Sequence, residues 1–215
     1  MLPGLEGDCM GQGFGAGKSM NATPRRIALY GGSFDPVHPS HVAIARAARE
    51  QAGLDQVVFL PARQSPLKGH GPEAGGLLRV EMLRAALTGC PWAEVNAWEL
   101  DQPGPSYSWQ TVEHFQKTGG DGIQWFWLMG ADQWEQLEHW QNWRHLAGRV
   151  TFLVFARSGV ILQPRAEVNA VFLAGEFPGP SSTTVRKTRR GGGAWEAMVA
   201  PGVAALIQRE GLYLD

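Results

Sequence analysis

The chain has 215 residues, enough for one α/β domain with a substantial core, or one domain with an appendage. Lys and Arg number 19 against 20 Asp and Glu, a near balance that argues against a general nucleic-acid or membrane-surface binder. Two cysteines make no disulfide framework and suit a reducing cytoplasm, no apolar run approaches the ~18 residues of a membrane span, and the first residues lack the basic-then-apolar pattern of a secretory leader.

Residues 1–24 are rich in Gly and small side chains and lack apolar periodicity, so they read as a poorly ordered extension to a domain over 25–215. The extension contains GFGAGKS at 13–19, but a phosphate-binding P-loop needs a glycine where Gln12 stands, and no strand leads in. Ile27 to Tyr30 reads as a buried strand. The stretch Gly31 to His41, GGSFDPVHPSH, follows it and opens an alanine-rich helical run from Val42 to Ala52. Gly31 and Gly32 allow backbone angles that other residues resist and let a ligand approach the main chain. His38 and His41 stand three apart where the helix begins. Free N–H groups and the positive end of the helix dipole attract phosphate there, and imidazoles can donate to its oxygens. A metal site is the poorer reading, because Cys9 and Cys90 lie far away and no third ligand stands nearby.

Val57 to Leu60 is a second buried strand, ending at Pro61. The loop from Ala62 to Gly76 is long, rich in Gly and Pro, and carries Lys68; loops beyond ~12–15 residues are often binding loops. Leu77 to Leu87 is helical, with Arg79, Glu81 and Arg84 expected to face out. Trp92 to Leu100 alternates and reads as a third strand. A turn-rich loop from Gln102 leads to Ser108, which would cap a helix over Trp109 to Lys117. Gln124 to Met129 is a strongly apolar strand with Gly130, Ala131 and Asp132 at its carboxyl end, where ligands gather in open α/β sheets. A helix with Gln136, Glu138 and His139 comes next, followed by Trp140 to His145. Strands over Val150 to Phe155 and Ala170 to Leu173 follow. Ser181, Ser182 and Thr183 then open a helix that carries Arg186; taken alone, that run is equally an ordinary cap with a solvated basic stretch. A helix over Val203 to Glu210 ends at Gly211. Strands alternating with helices predict an α/β fold: a Rossmann-like, doubly wound parallel sheet with helices on both faces.

As an ordered set, these segments resemble the bacterial nicotinate-nucleotide adenylyltransferases of the (H/T)xGH nucleotidyltransferase superfamily. GGSFDPVH with His41 resembles the (H/T)xGH motif, and Ser181 to Arg186 resembles (I)SSTxxR. PARQSPLK at 61–68 resembles the loop after the second strand. Glu99-Leu100 through Pro105-Ser106-Tyr107-Ser108 resembles EL…PSYT, and Met129 to Asp132 resembles (I/M)GxD. Trp140 stands where that family has its substrate-stacking Trp. The resemblance covers residues 25 to 215. The chain departs from the pattern at Ser40 for Gly, Leu67 for His, Gln102 for Arg, Ser108 for Thr, Gln141 for Tyr and Pro180 for an apolar residue. These departures touch the substrate side more than the ATP side.

The resemblance implies adenylyl transfer from ATP to nicotinate mononucleotide, giving deamido-NAD and pyrophosphate in NAD biosynthesis. It implies that His38 and His41 contact the triphosphate, that His41 stabilises the transition state, and that Arg186 completes the catalytic set. Ser182 and Arg186 would hold the departing phosphates, with Ser181 and Thr183 in the same run, and Gly31, Gly32, Ser33 and Phe34 would line the ATP site. On the substrate side, Trp140 would stack on the pyridine ring, although groove packing beside Trp134 and Trp143 is its other reading. Backbone N–H groups at Tyr107 and Ser108 would receive the carboxylate. Lys68 would approach the mononucleotide phosphate, and Asp132 joins the same group. Mg²⁺ is expected with ATP, without metal ligands from the protein. The alternatives are a sister enzyme acting on nicotinamide mononucleotide or phosphopantetheine, or a non-catalytic nucleotide binder. No nucleic-acid or membrane partner is expected, and a homo-oligomer is compatible with the sequence.

Overall fold

Six apolar runs pair side by side in one direction. The computed structural model describes residues 23–66, 69–156, 162–177 and 179–214; the glycine-rich extension up to residue 22, and Lys68, lie outside them. The strands are β1 (Arg25–Gly32), β2 (Gln56–Pro61), β3 (Ala93–Val95), β4 (Ile123–Gly130), β5 (Thr151–Phe155) and β6 (Ala170–Leu173). They form one sheet in the order β3-β2-β1-β4-β5-β6, and every pairing is parallel. The chain winds outward from β1 to β3, then returns to the other side of β1 as β4. That reversal opens a crevice at the carboxyl ends of β1 and β4, where doubly wound sheets bind ligands.

Alternation along the strands separates two apolar layers. Ala28, Tyr30, Phe59, Phe126 and Leu128 point to one layer, and Ile27, Leu29, Val58, Trp127 and Met129 to the other. The first layer is covered by α1 (Pro39–Ala52) and α2 (Gly76–Ala86), which contribute Ile44, Ala48, Met82 and Leu83. A four-residue helix, α3 (Trp98–Asp101), precedes α4 (Ser108–Thr118), and α4 covers the second layer with α5 (Ala131–Glu135) and α6 (Trp143–Ala147) through Val112, Trp134 and Leu146. Then α7 (Ser182–Arg190) and α8 (Pro201–Arg209) return to the first layer through Val185, Val203 and Ile207. Among the described residues, no helix is long and apolar enough to cross a membrane.

Three local expectations are corrected. Trp92 to Leu100 is not one strand: the ladder stops where the Asn96 N–H donates to the Phe59 carbonyl. The Asn96 side-chain oxygen then accepts the Trp98 N–H at 2.9 Å, a turn that starts α3. Ser108 is the first residue of α4 and Tyr107 is its cap. The segment after Asp132 is broken into α5, a 3-10 turn over Leu137–His139, and α6, which begins after Asn142 at φ 53°.

Arg79 does not face out; it is 2% exposed. Its Nε–H donates to the Ala74 carbonyl at 3.1 Å and its Nη1–H to the Ser33 carbonyl at 2.8 Å. Burial lowers its pKa, and the opposing carboxylates of Asp35 and Glu99 favour the charged form. This arginine therefore braces the turn after β1 from beneath. Arg79→Leu leaves two carbonyls without donors and should cost about 3 kcal/mol in urea unfolding. A loss below about 0.5 kcal/mol, the level of an ordinary surface substitution, would show that the brace carries no weight.

Candidate active site

The turn after β1 is built for close approach. The left-handed backbone falls on Phe34, at φ 47°, and neither Gly31 nor Gly32 has a positive φ. The two glycines are needed for space instead. A Cβ on Gly31 would meet the Trp127 ring at 3.1 Å, and one on Gly32 would meet the Phe34 ring at 2.9 Å. The buried Phe34 ring packs edge-on against Tyr30, at 5.4 Å between centroids, and against His41, at 5.0 Å.

The Pro39 ring starts α1, with His38 at the cap position. The His38 backbone N–H donates to Nδ1 of His41 at 3.3 Å, and the two imidazoles lie 3.8 Å apart. A neutral His41 that accepts at Nδ1 carries its proton on Nε2, which makes that nitrogen a donor. Enclosure by Tyr30, Phe34 and His38 lowers the His41 pKa well below the ordinary histidine value, first through desolvation and then through the charge of His38.

The start of α7 meets this turn. Ser181 caps the helix by accepting the Thr184 N–H at 3.1 Å. Ser182 Oγ donates to the Pro36 carbonyl at 2.9 Å, across 146 positions of sequence. Arg186 Nη1–H donates to the Asp35 carbonyl at 2.6 Å, and its Nε lies 2.9 Å from the Glu73 carboxylate. Arg190 also pairs with Glu73. The Asp35 carboxylate is 4% exposed and accepts three donors: the N–H groups of Glu73 at 2.8 Å and Ala74 at 3.0 Å, and the Tyr213 hydroxyl at 2.7 Å.

Two cavities meet over Gly31 and Gly32. One, of about 430 Å³, is lined by Phe34, His38, His41, Ser181, Ser182 and Thr183. The other, of about 270 Å³, is lined by Trp127, Trp140, Tyr107, Ser108 and Glu99. Gly31, Gly32 and Gln133 line both. Asp132, grouped with the ring-side residues by sequence, lines the histidine cavity. Arg186 lines a smaller adjoining cavity of about 80 Å³ with Asp35 and Glu73, and Ser33, expected on the ATP side, lines both this cavity and the tryptophan cavity. In the second cavity the Trp140 ring stands edge-on to Trp127 at 6.4 Å. The Tyr107 carbonyl accepts from Gln110 and Thr111, so the first N–H groups of α4 are left to face out of the helix. Sequence reasoning missed Arg79, Glu99, Gln133 and Tyr213 as parts of this site. Only the folded chain shows that Glu99 is 3% exposed and takes a 2.8 Å hydrogen bond from Thr111, and burial pushes its carboxyl pKa up.

The family model for cytidylyltransferase-like proteins matches residues 29–188. A Bordetella pertussis protein named "Probable nicotinate-nucleotide adenylyltransferase" is 35% identical over 87% of this chain and 98% of its own length. A Gloeobacter violaceus protein of the same name is 36% identical over 87% of this chain and 96% of its own. This chain belongs to the nicotinate-nucleotide adenylyltransferase family. The Plasmodium falciparum nicotinic acid mononucleotide adenylyltransferase, solved in complex with NaAD, shares the fold with a TM-score of 0.71 at 15% identity, over 88% of this chain and 97% of that one.

Two departures from the family pattern now have a structural account. Ser40 sits buried in the first turn of α1 with ordinary helical backbone, so the strain that a left-handed serine would carry does not arise. Its hydroxyl lies 2.5 Å from where a Cβ of Gly179 would be, and Gly179, at φ 142°, leaves that room. Gln102 turns its amide to the Trp98 carbonyl at 3.1 Å, and Arg63 donates to the Gln102 carbonyl at 3.0 Å.

The low pKa of His41 has a consequence for stability. Below about pH 6.5 the unfolded chain takes up a proton at His41 that the folded chain refuses. The contribution is complete above that pH and is lost as pH falls toward the lowered folded value, at up to about 1.4 kcal/mol per pH unit. Unfolding free energies in urea at pH 7.5 and 5.5 should therefore differ more for the native chain than for His41→Gln. Equal pH dependence in the two proteins would contradict a neutral, desolvated His41.

Proposed function

We propose that this chain transfers the adenylyl group of ATP to nicotinate mononucleotide, releasing pyrophosphate and forming deamido-NAD. The junction of the two cavities over Gly31 and Gly32 carries the reading. One side offers donors suited to a polyphosphate, and the other a tryptophan face and a helix start suited to a flat anionic ring. A phosphate oxygen of the mononucleotide attacks the α-phosphorus of ATP. The bond from that phosphorus to the oxygen bridging toward the β-phosphate breaks, and the electron pair leaves with pyrophosphate. The nucleophile is already ionised, so catalysis consists of aligning two anions and stabilising the charge that builds between them.

In this reading His41 donates from Nε2 to the α-phosphate, with His38 beside it. The first N–H groups of α7, at Ser182 and Thr183, and the guanidinium of Arg186 hold the departing phosphates. The Asp132 carboxylate is an acceptor and suits a substrate hydroxyl better than a phosphate. Trp140 stacks on the pyridine ring, and the free N–H groups at the start of α4 receive its carboxylate. Among the described residues no three His, Cys, Asp or Glu side chains gather as a metal cage would need. Mg²⁺ in this reading arrives with ATP, held by phosphate oxygens and water, and neutralises polyphosphate charge.

One observation favours the amide substrate. Glu99 lines the ring cavity and, as an acceptor, would suit an NH₂ group, but its carboxylate is already engaged by the Thr111 hydroxyl. Helix N–H donors facing an amide NH₂ leave donor against donor, at about 1–3 kcal/mol for each unpaired group. The expected outcome is a kcat/KM for nicotinate mononucleotide about 100-fold or more above that for nicotinamide mononucleotide, read by pyrophosphate release at saturating ATP and Mg²⁺. Equal values, or a preference for the amide, would reassign the substrate. His41→Ala should lower kcat by about 10²–10³ with the fold retained, because a donor to the reacting phosphate is lost. Native turnover in that variant would remove His41 from the mechanism.

A further inference from the structure

Tyr213 lines neither of the cavities that meet over Gly31 and Gly32, yet it is joined to Asp35, and through it to Arg186, in the smaller cavity beside them. It is 5% exposed and sits in the left-handed region at φ 62°, where a non-glycine residue persists only if its surroundings hold it. Its hydroxyl donates to Oδ1 of Asp35 at 2.7 Å, 178 positions away. The segment around it is tied to α7 as well. Arg189, one turn from Arg186, donates from Nε to the Leu212 carbonyl at 3.4 Å and stacks over the Trp195 ring at 4.6 Å. The Leu212 N–H returns to the Ile207 carbonyl of α8 at 3.0 Å. This short segment therefore grips the GGSFDP turn with one residue and, with another, the helix that carries the second phosphate motif.

We infer that Tyr213 is a positioning residue for the phosphate cradle, acting through Asp35 to set the affinity for ATP. The inference rests on the adenylyl-transfer reading above. Asp35 anchors Arg186 through its carbonyl at 2.6 Å, while its carboxylate Oδ2 lies only 4.0 Å from Nη1 of the same arginine. Three donors hold the carboxylate away from that guanidinium: Glu73 N–H on Oδ2, and Ala74 N–H and Tyr213 O–H on Oδ1. Without the phenol, the buried carboxylate lacks a donor and satisfies itself by turning toward Arg186. The arginine is then spent on Asp35 rather than on phosphate. Burial and the neighbouring Asp35 both push the phenol pKa up, so the hydroxyl remains a donor throughout the working pH range.

Tyr213→Phe keeps the ring and removes the hydroxyl. ATP binding to the full chain, measured calorimetrically with Mg²⁺ and no mononucleotide, should weaken about tenfold. The KM for nicotinate mononucleotide should stay within about twofold, because neither Tyr213 nor Asp35 nor Arg186 lines the ring cavity. In a double-mutant cycle with Asp35→Asn, the two effects on ATP affinity should be non-additive. Unchanged ATP affinity with only a lower melting temperature would make Tyr213 a structural residue and overturn the inference, as would additive effects in the cycle. Arg189→Gln slackens the same segment from outside and repeats the measurement if Tyr213→Phe does not accumulate as folded protein; it should also weaken ATP with the mononucleotide KM unchanged, and unchanged ATP affinity there overturns the inference. Pyrophosphate release by the native chain separately tests the reaction itself. Its absence would fault the assigned chemistry, while the ratio of ATP affinities still judges Tyr213.

Discussion

A carboxylate buried away from water must be surrounded by donors or give up its charge. Asp35 meets that demand with donors from two distant parts of the chain, and its own carbonyl anchors a guanidinium from a third. The loop at Glu73 and Ala74 and the segment at Tyr213 converge because one oxygen pair has to be satisfied, and the helix bearing Arg186 joins them through the Asp35 carbonyl. The (H/T)xGH turn is thus held by the polar requirement of its own aspartate. Arg79 adds the complementary brace by donating to the Ser33 carbonyl beneath the turn.

Above that scaffold, the site is arranged by helix starts. The first turns of α1 and α7 face one cavity and the first turn of α4 faces the other. The starts of α7 and α4 present N–H groups outside their helices' own bonding, which are fixed by the fold and cannot collapse onto themselves as flexible lysines can. The two glycines between them form a wall thin enough for both ligands to touch, and a single methyl group on either would strike an aromatic ring. Side chains contribute direction more than charge. His41 is kept neutral and aimed by a backbone N–H, which in the proposed reaction suits a group that donates to phosphate without carrying a full charge beforehand.

Much of this was legible in the sequence because it depends on local pattern. Continuous apolar runs such as Gln124 to Met129 become central strands, and Ser181 marks a helix start by its own chemistry, whereas α1 begins at Pro39, three residues before the alanine-rich run. The motif residues His38, His41, Ser182 and Thr183 also come together as their order suggested. What stayed hidden depends on partners far away in sequence. Helical spacing put Arg79 on an outer face, because nothing near it announces that the Ser33 and Ala74 carbonyls will need a donor. Alternation extended β3 through Leu100, because the short-range cap at Asn96 competes with a pattern that it does not alter. The glycines were read as turn-formers, whereas the tertiary neighbours Trp127 and Phe34 are what require them.

The reversal of strand order between β1 and β4 has a consequence for how the two ligands feel the rest of the protein. Helices α1 and α7, which serve the histidine cavity, are rooted in the apolar layer with Tyr30, Phe59 and Phe126. Helix α4, which serves the tryptophan cavity, is rooted in the layer with Leu29, Trp127 and Trp134, and so is α5, which lines the histidine cavity through Ala131 and Asp132 and both cavities through Gln133. The two cavities therefore meet at a seam between two separately packed interiors. A softened layer beneath α1 and α7 loosens one wall of the histidine cavity, while a softened layer beneath α4 and α5 reaches both cavities.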